Sequence, residues 1–199
     1  MSARDVILGR VRSAVADASP VPAIPRGYRT TGTADAAARI ALFCERVGEY
    51  KADVRRVPDA TAEIAAVCAG RSMVVPVGLP AAWRTEGFVE DTALSPHSLD
   101  AVDGVITGCT VAIAETGTIV LTAAPHEGRR AITLVPDLHV CIVEASQIVE
   151  LVPEAIERLG DAARRPLTFI SGPSATSDIE LNRVEGVHGP RTLVVIVTD

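Results

Sequence analysis

The sequence is poor in aromatic residues, which make up 3% of its 199 residues, although 48% of the residues are hydrophobic. The core must therefore be built from Ala, Val, Ile and Leu, a composition typical of helices packed on a parallel sheet. A chain of this length can form one sizeable core, so we expect one domain.

An excess of positive charge is also absent, because 19 Lys and Arg residues stand against 25 Asp and Glu residues and give a net charge of −6. This balance provides no attraction to phosphate backbones or anionic membranes, which argues against a nucleic-acid partner. No segment approaches the roughly 18 consecutive apolar residues of a membrane span, and the N-terminus lacks the apolar region of a signal peptide. We therefore expect a cytoplasmic protein.

Motifs for metal ions and cofactors are missing too. The four cysteines stand far apart without a CxxC pair, which argues against iron–sulfur or structural zinc sites. The GxxxxGK[ST], GxGxxG and GxSxG motifs are absent, so the P-loop, Rossmann and hydrolase-elbow classes have no support. No two candidate metal ligands have helical spacing. We expect no metal site and no cofactor.

The N-terminal region, residues 1–33, differs in composition from the remainder. Ser2 to Ala18 has the apolar stripe of an amphipathic helix, and Ser19 to Thr33 is rich in Pro and Gly, which predicts an extended arm. The helix either packs on its own core or on a neighbouring subunit, so a homo-oligomer stays open. Residues 34–199 are predicted to form a single α/β domain.

Helices and short strands alternate along this domain. Helices predicted at 35–49 and 59–69 alternate with strands at 52–57 and 72–77, which indicates right-handed crossovers and a parallel sheet covered by helices. Segments 110–114 and 118–123 read as an antiparallel hairpin, so the sheet is predicted to be mixed and mostly parallel. Further predictions are strands at 104–106, 138–143, 167–170 and 193–197, and a helix at 146–159 in which Pro153 causes a kink or a late start.

The first candidate motif places Glu115 between an apolar strand and the glycine of the hairpin turn, Gly117. A carboxylate at a strand end of an α/β sheet lies where ligands often bind, and partial burial would raise its pKa towards that of a general base. The alternative is a turn residue that accepts backbone hydrogen bonds. His126 and Glu127, after the second hairpin strand, either bring charge to the same edge or, as the favoured interpretation, form a solvated helix start.

The second and third motifs surround the last predicted helix. Ile170 to Glu180 passes from a buried strand through small polar residues into a helix N-terminus, which suits an anion, although Ser177 and Glu180 alternatively form a capping box. His188 stands between Gly186 and Gly189 before a proline. It is either a presented acid, base or donor, or part of a simple turn.

Three segments follow one another in this order: Ala114–Thr118, Ser171–Ser174 with Asp178–Glu180, and Gly186–Pro190. Together they resemble the lactate utilization protein C family, whose characteristic unit is the LUD domain, and the resemblance covers about Gly104 to Asp199. Ala175 departs from the family pattern, in which a basic residue is expected, and Ser177 replaces a usual alanine. An anion held by that basic side chain is therefore not expected here.

The resemblance implies a fold similar to the isomerase, deaminase and coenzyme A transferase superfamily, with a ligand groove at strand ends. It also implies a part in oxidising L-lactate to pyruvate beside partner proteins that carry iron–sulfur clusters. One hypothesis is a non-redox accessory subunit that binds a small carboxylate, a phosphate or a partner surface. The alternative is an enzyme acting on a small acid, acyl thioester or sugar phosphate, with Glu115 as base or nucleophile and His188 as its second catalytic residue.

A third hypothesis is a regulatory or structural module that self-associates through the N-terminal arm. The accessory-subunit hypothesis and the enzyme hypothesis use the same candidate ligand-binding residues, which come from all three motifs. These are Thr116, Gly117, Thr118, Ser171, Gly172, Ser174, Thr176, Asp178 and Gly189.

Overall fold

The computed structural model describes residues 2–16, 23–173 and 189–199. Their strands form two sheets, one of six strands and one of four. The strands are β1 Asp53–Val57, β2 Met73–Val75, β3 Val89–Glu90, β4 Gly104–Thr107, β5 Val111–Ile113, β6 Thr118–Leu121, β7 Leu138–Glu144, β8 Ile148–Val149, β9 Thr168–Ile170 and β10 Thr192–Thr198. The helices are α1 Ala3–Ala14, α2 Ala36–Glu49, α3 Ala60–Cys68, α4 Pro96–Asp100 and α5 Val152–Leu159.

The larger sheet is parallel throughout, in the order β1–β10–β7–β4–β2–β3. The two longest strands, β7 and β10, lie side by side in it, and their residues from Val140 to Val143 and from Val195 to Val197 are fully buried. Continuous apolar strands of this kind are typical of a sheet covered on both faces. The predicted α/β class, with a mostly parallel sheet flanked by helices, is confirmed.

Helix α2 joins the two sheets. Asp35 caps its first turn, with the carboxylate accepting the N–H of Ala38 over 2.8 Å. Ile40, Phe43 and Val47 lie on one helical stripe and are buried in a core cluster shared with residues of both sheets. The C-terminal end of α2 lies close to both sheets, and the candidate site forms around it.

The predicted hairpin forms, but it belongs to the second sheet rather than to the parallel one. β5 and β6 pair antiparallel, β5 also pairs with β8, and β6 pairs with β9, in the order β8–β5–β6–β9. The chain leaves β4 and starts β5 after only a few residues, so both sheets share the buried cluster around Cys109 and Ala112. Two short strand-like segments around a glycine turn revealed the hairpin in the sequence. Tertiary packing decides which sheet the hairpin joins.

Two predicted segments differ in detail from the structure. The helix predicted at 146–159 starts late, at Val152, with Pro153 in its first turn, which is one of the two effects predicted for this proline. Residues 148–149 form β8 beside β5 instead of a first helical turn. The stretch from Leu79 to Asp100, for which the sequence predicted no helix or strand, contains β3 and α4. Both elements are too short to give a periodic pattern.

The predicted N-terminal helix corresponds to α1, which begins with a capping box between Ser2 and Asp5. None of its residues is buried, and Ile7, Val11 and Val15 expose their apolar side chains. Residues 23–33 have no helix or strand. Within the described ranges, no helix combines the length and apolar character needed to cross a membrane.

Candidate functional site

The first motif forms the tight turn between β5 and β6. Glu115 and Thr116 enter this turn, and Gly117 leaves it with a φ of +58°. A Cβ atom on Gly117 would lie 2.7 Å from the carbonyl carbon of Arg46 and 2.8 Å from the backbone nitrogen of Val47. The turn therefore packs directly on the last turn of α2, and glycine is required there for both conformation and space.

Hydroxyl groups connect this turn to the second motif. Thr116 Oγ1 donates to Thr118 Oγ1 over 2.8 Å, and Thr118 Oγ1 lies 2.7 Å from Ser171 Oγ. Strands β6 and β9 pair with Ile119 opposite Ile170, which places Thr118 and Ser171 next to each other at the end of the ladder. The pairing of these two short strands thus joins two of the predicted motifs.

Two further glycines bring the second and third motifs close together. Gly172 has a φ of +109° and Gly189 a φ of +128°. A Cβ atom on Gly172 would lie 2.9 Å from Tyr50 Cβ, and a Cβ atom on Gly189 would lie 3.4 Å from the carbonyl oxygen of Pro173. Because Tyr50 caps the C-terminal end of α2, both loops lie beside the helix end that also contacts Gly117.

The site lies towards the amino ends of β1 and β10. Helix α2 leads into β1 through Tyr50, and Gly189 shortly precedes β10. Glu115 follows the carboxyl end of β5, as the sequence predicted, but β5 is in the second sheet. The carboxyl edge of the parallel sheet, where ligands of α/β proteins usually bind, is therefore not where these motifs meet.

Glu115 carries the negative charge of the site. Its side chain is 45% exposed, and its carboxylate pairs with the guanidinium of Arg29, which is 62% exposed. Its backbone N–H donates to the carbonyl of Glu150 over 3.0 Å. The turn holds this carboxylate at the surface, whereas the strand before it is buried.

Two carboxylates hold the C-terminal end of the N-terminal arm and Ala34, the residue directly after it, beside the turn. The N–H of Gly32 donates to Glu154 Oε1 over 2.9 Å, and the N–H of Ala34 donates to Glu150 Oε2 over 2.6 Å. The hydrogen bond from Gly32 holds the pKa of Glu154 below its ordinary value. A Cβ atom on Gly32 would lie 2.5 Å from Glu150 Cβ, so the arm approaches the domain very closely.

Four of the predicted site residues, Ser174, Thr176, Asp178 and His188, lie outside the described residues. The structure brings the others to one end of the second sheet. These are Glu115, Thr116, Gly117, Thr118, Ser171, Gly172 and Gly189.

A second polar cluster surrounds Glu127, which the sequence placed at a solvated helix start. That interpretation is wrong, since Glu127 lies in a turn and its side chain is 0% exposed. Its carboxylate accepts hydrogen bonds from Thr110 Oγ1 over 2.6 Å, from the N–H of Thr122 over 2.6 Å and from the N–H of Ala124 over 2.8 Å. Because two of these donors are backbone N–H groups, the side-chain pattern of the sequence gave no signal for this burial.

The parallel sheet contains a buried pair of polar side chains. Thr107 Oγ1 lies 2.8 Å from His139 Nε2, and both residues are buried on neighbouring strands. Burial, helped by the charge of Arg130, lowers the pKa of His139 to about 3. In the part of the chain that the structure describes, no three His, Cys, Asp or Glu side chains are arranged to hold a metal ion.

Comparison with known proteins identifies the family. The profile of the LUD domain matches residues 80–198, which include all three motifs. The chain belongs to the LUD domain family. A crystal structure of a DUF162 family protein from Deinococcus radiodurans superposes on this LUD domain chain with a TM-score of 0.74 and 39% identity, covering 84% of this chain and 100% of that one.

Several relatives of this LUD domain chain are named lactate utilization protein C. The protein from Deinococcus radiodurans is 48% identical over 165 residues, which cover 78% of this chain and 77% of that protein. The protein from Geobacillus kaustophilus is 35% identical and that from Bacillus pumilus 39% identical, with 61% and 44% of this chain covered. The matches span 58% and 38% of the length of these two relatives.

Proposed function

We propose that this LUD domain chain serves in L-lactate utilization as a non-redox subunit that binds a small carboxylate. The names of its relatives, foremost a protein 48% identical to it, support the process. The observation that carries the binding role is the contact between Thr118 Oγ1 and Ser171 Oγ, 2.7 Å apart. This contact joins two motifs into one polar surface beside an exposed ion pair.

The surface has the groups that a small organic acid needs. Hydroxyl groups of Thr116 and Ser171 can donate to or accept from a ligand oxygen, and the buried Thr118 between them holds both in place. Arg29 adds a guanidinium, the side chain best matched to a carboxylate. A few polar groups at the meeting point of several loops are typical of small-molecule sites.

Calorimetric titration with L-lactate, pyruvate and inorganic phosphate tests this role. We expect saturable binding of at least one of the two carboxylates. Ser171→Ala should weaken it about tenfold by removing a ligand hydrogen bond, and Thr118→Val should weaken it by releasing the Ser171 hydroxyl from its position. Thr92→Val, a change at an exposed threonine that does not belong to the site, is the matched control. Affinities that stay the same in all three variants would contradict the assignment of the site.

The electrons of lactate oxidation would pass through iron–sulfur partner proteins. The spacing of the cysteines in this chain gives no cluster ligand set, and Cys68, Cys109 and Cys141 are buried in apolar surroundings. We expect the purified chain to bind such partners and to increase their lactate oxidation. Partners that oxidise lactate equally well without this chain would contradict the accessory role.

An enzymatic role is the second candidate, because Glu115 is exposed and adjoins a chain of hydroxyl groups. As a nucleophile, its carboxylate would attack an acyl thioester, form a mixed anhydride and release the thiol. Mass spectrometry after incubation with acetyl coenzyme A would detect the trapped acyl group on Glu115. Glu115→Gln should abolish the adduct and Glu86→Gln, at another exposed position, should retain it. An unmodified wild-type chain would exclude this chemistry for the thioester used.

A further inference from the structure

Arg29 brings a positive charge to the candidate site from outside the three motifs. Its guanidinium pairs with the carboxylate of Glu115, and the two side chains are 62% and 45% exposed. Ion pairs with this exposure contribute little to stability, since water solvates both partners. A small dissolved acid can therefore reach both groups and replace Glu115 as the partner of the guanidinium.

The backbone around this ion pair is firmly positioned. Glu150 links the two segments, because its Oε2 accepts the N–H of Ala34 over 2.6 Å and its carbonyl accepts the N–H of Glu115 over 3.0 Å. Glu154 holds the arm through the N–H of Gly32 at 2.9 Å. Glu150 is thus bonded both to Ala34 at the arm end and to the turn at Glu115, so the two segments that carry the ion pair are anchored to the same residue.

We propose that Arg29 binds the carboxylate of a 2-hydroxy acid in this site, while Glu115, released from the ion pair, accepts a hydrogen bond from the hydroxyl group of that acid. The inference rests on the proposed function and specifies the ligand class. Arginine offers a planar fork of donors that matches a carboxylate, and an ionised glutamate offers only acceptors. A 2-hydroxy acid satisfies both groups, whereas a 2-oxo acid has no hydroxyl donor for Glu115.

Titration with L-lactate and L-lactamide tests the part played by Arg29, because lactamide keeps the hydroxyl group and has no charge. Arg29→Gln should weaken L-lactate binding about tenfold and leave lactamide binding within about twofold. Arg29→Lys should give an intermediate affinity for L-lactate, since lysine keeps the charge without the fork. Arg26→Gln removes a charge from another exposed position of the same arm and should leave both affinities unchanged.

Two further variants test the geometry. Gly32→Ala keeps every charge but forces the arm away from Glu150, so it should weaken L-lactate binding as Arg29→Gln does. Glu115→Gln should reduce the preference for L-lactate over pyruvate, because the amide can also donate to an oxo group. Thermal unfolding of each variant checks that the fold is retained.

The outcomes separate the two proposals. A wild-type chain that binds neither L-lactate nor pyruvate would overturn the proposed function and this inference together. A wild-type chain that binds L-lactate with an affinity unchanged in Arg29→Gln would overturn the inference alone. Equal weakening of L-lactate and lactamide in Arg29→Gln would show that Arg29 only shapes the surface, and would overturn its role in binding the carboxylate.

Discussion

Glu115 and Glu127 follow the two strands of the same hairpin, yet their surroundings differ completely. Glu115 comes after β5, exposes 45% of its side chain and pairs with Arg29. Glu127 comes after β6, is 0% exposed and accepts four hydrogen bonds from protein groups. A carboxylate that the chain satisfies internally has no capacity left for a ligand, whereas one paired only at the surface does.

The cost of burying charge explains this division. A buried carboxylate is tolerated only when its oxygens are fully hydrogen-bonded, and Thr110, Thr122 and Ala124 supply the donors to Glu127. These bonds tie the start of β5 to the segment that leaves β6. Glu127 therefore stabilises the hairpin, and the turn at its other end, which carries Glu115, is left to meet solvent.

The largest expected effect is the loss of the buried carboxylate. Glu127→Ala leaves the N–H groups of Thr122 and Ala124 without a buried acceptor, and should lower the free energy of unfolding by about 3 kcal/mol. Glu115→Ala, on the exposed side, should lower it by less than about 1 kcal/mol. Urea unfolding of both variants measures the difference, and similar losses would show that the two carboxylates are not divided in this way.

A smaller effect is expected at the turn that presents Glu115. Gly117→Ala places a Cβ atom 2.7 Å from the backbone of Arg46 in a left-handed conformation, and should destabilise the protein by about 2 kcal/mol. Gly70→Ala is the matched control, because Gly70 also has a positive φ but open space around it, and should lose about 1 kcal/mol. Denaturant midpoints that match in the two variants would mean that the contact with α2 adjusts freely.

The buried polar groups also predict a pH dependence. The pKa of His139 is lowered to about 3 in the folded state, so between about pH 6.5 and that value the unfolded chain binds a proton that the folded chain does not. Stability should therefore fall with decreasing pH in this window, by at most about 1.4 kcal/mol per pH unit from this residue. His139→Gln should flatten the slope of the unfolding free energy against pH in this window. Glu115→Gln, the control, should leave the contribution of His139 to that slope unchanged.

Much of the fold could be predicted because its longer elements carry a clear pattern. The apolar run of β7, the stripe of Ile40, Phe43 and Val47 on α2 and the glycine turn of the hairpin are all local signals. The assignment of the hairpin to a second sheet is not local. It depends on the pairing of β5 with β8 and of β6 with β9. β8 has two residues and is too short to be read from the sequence, whereas β9 was predicted as a strand but its pairing with β6 was not.

Local sequence signals also indicated part of the candidate site, but they did not reveal Arg29 or the burial of Glu127. Small residues and glycines marked the turns, and the structure joins Thr118 to Ser171 through one strand pair. Arg29 gave no signal, because an arginine in a proline-rich arm is ordinary in a sequence and its partner lies 86 positions away. The burial of Glu127 was missed because its donors include backbone N–H groups, which no side-chain pattern reveals.

The smallest expected effect concerns the exposed ion pair itself. In a double-mutant cycle with Arg29→Gln and Glu115→Gln, the coupling between the two residues in the unligated chain should be below about 1 kcal/mol and should shrink further at high salt. Exposure of both side chains is the physical reason, and it is also what lets a ligand carboxylate compete for the guanidinium. Unfolding free energies of the four chains, measured at low and high ionic strength, give the coupling directly. A salt-insensitive coupling of several kcal/mol would mean that Glu115, like Glu127, is committed to the fold.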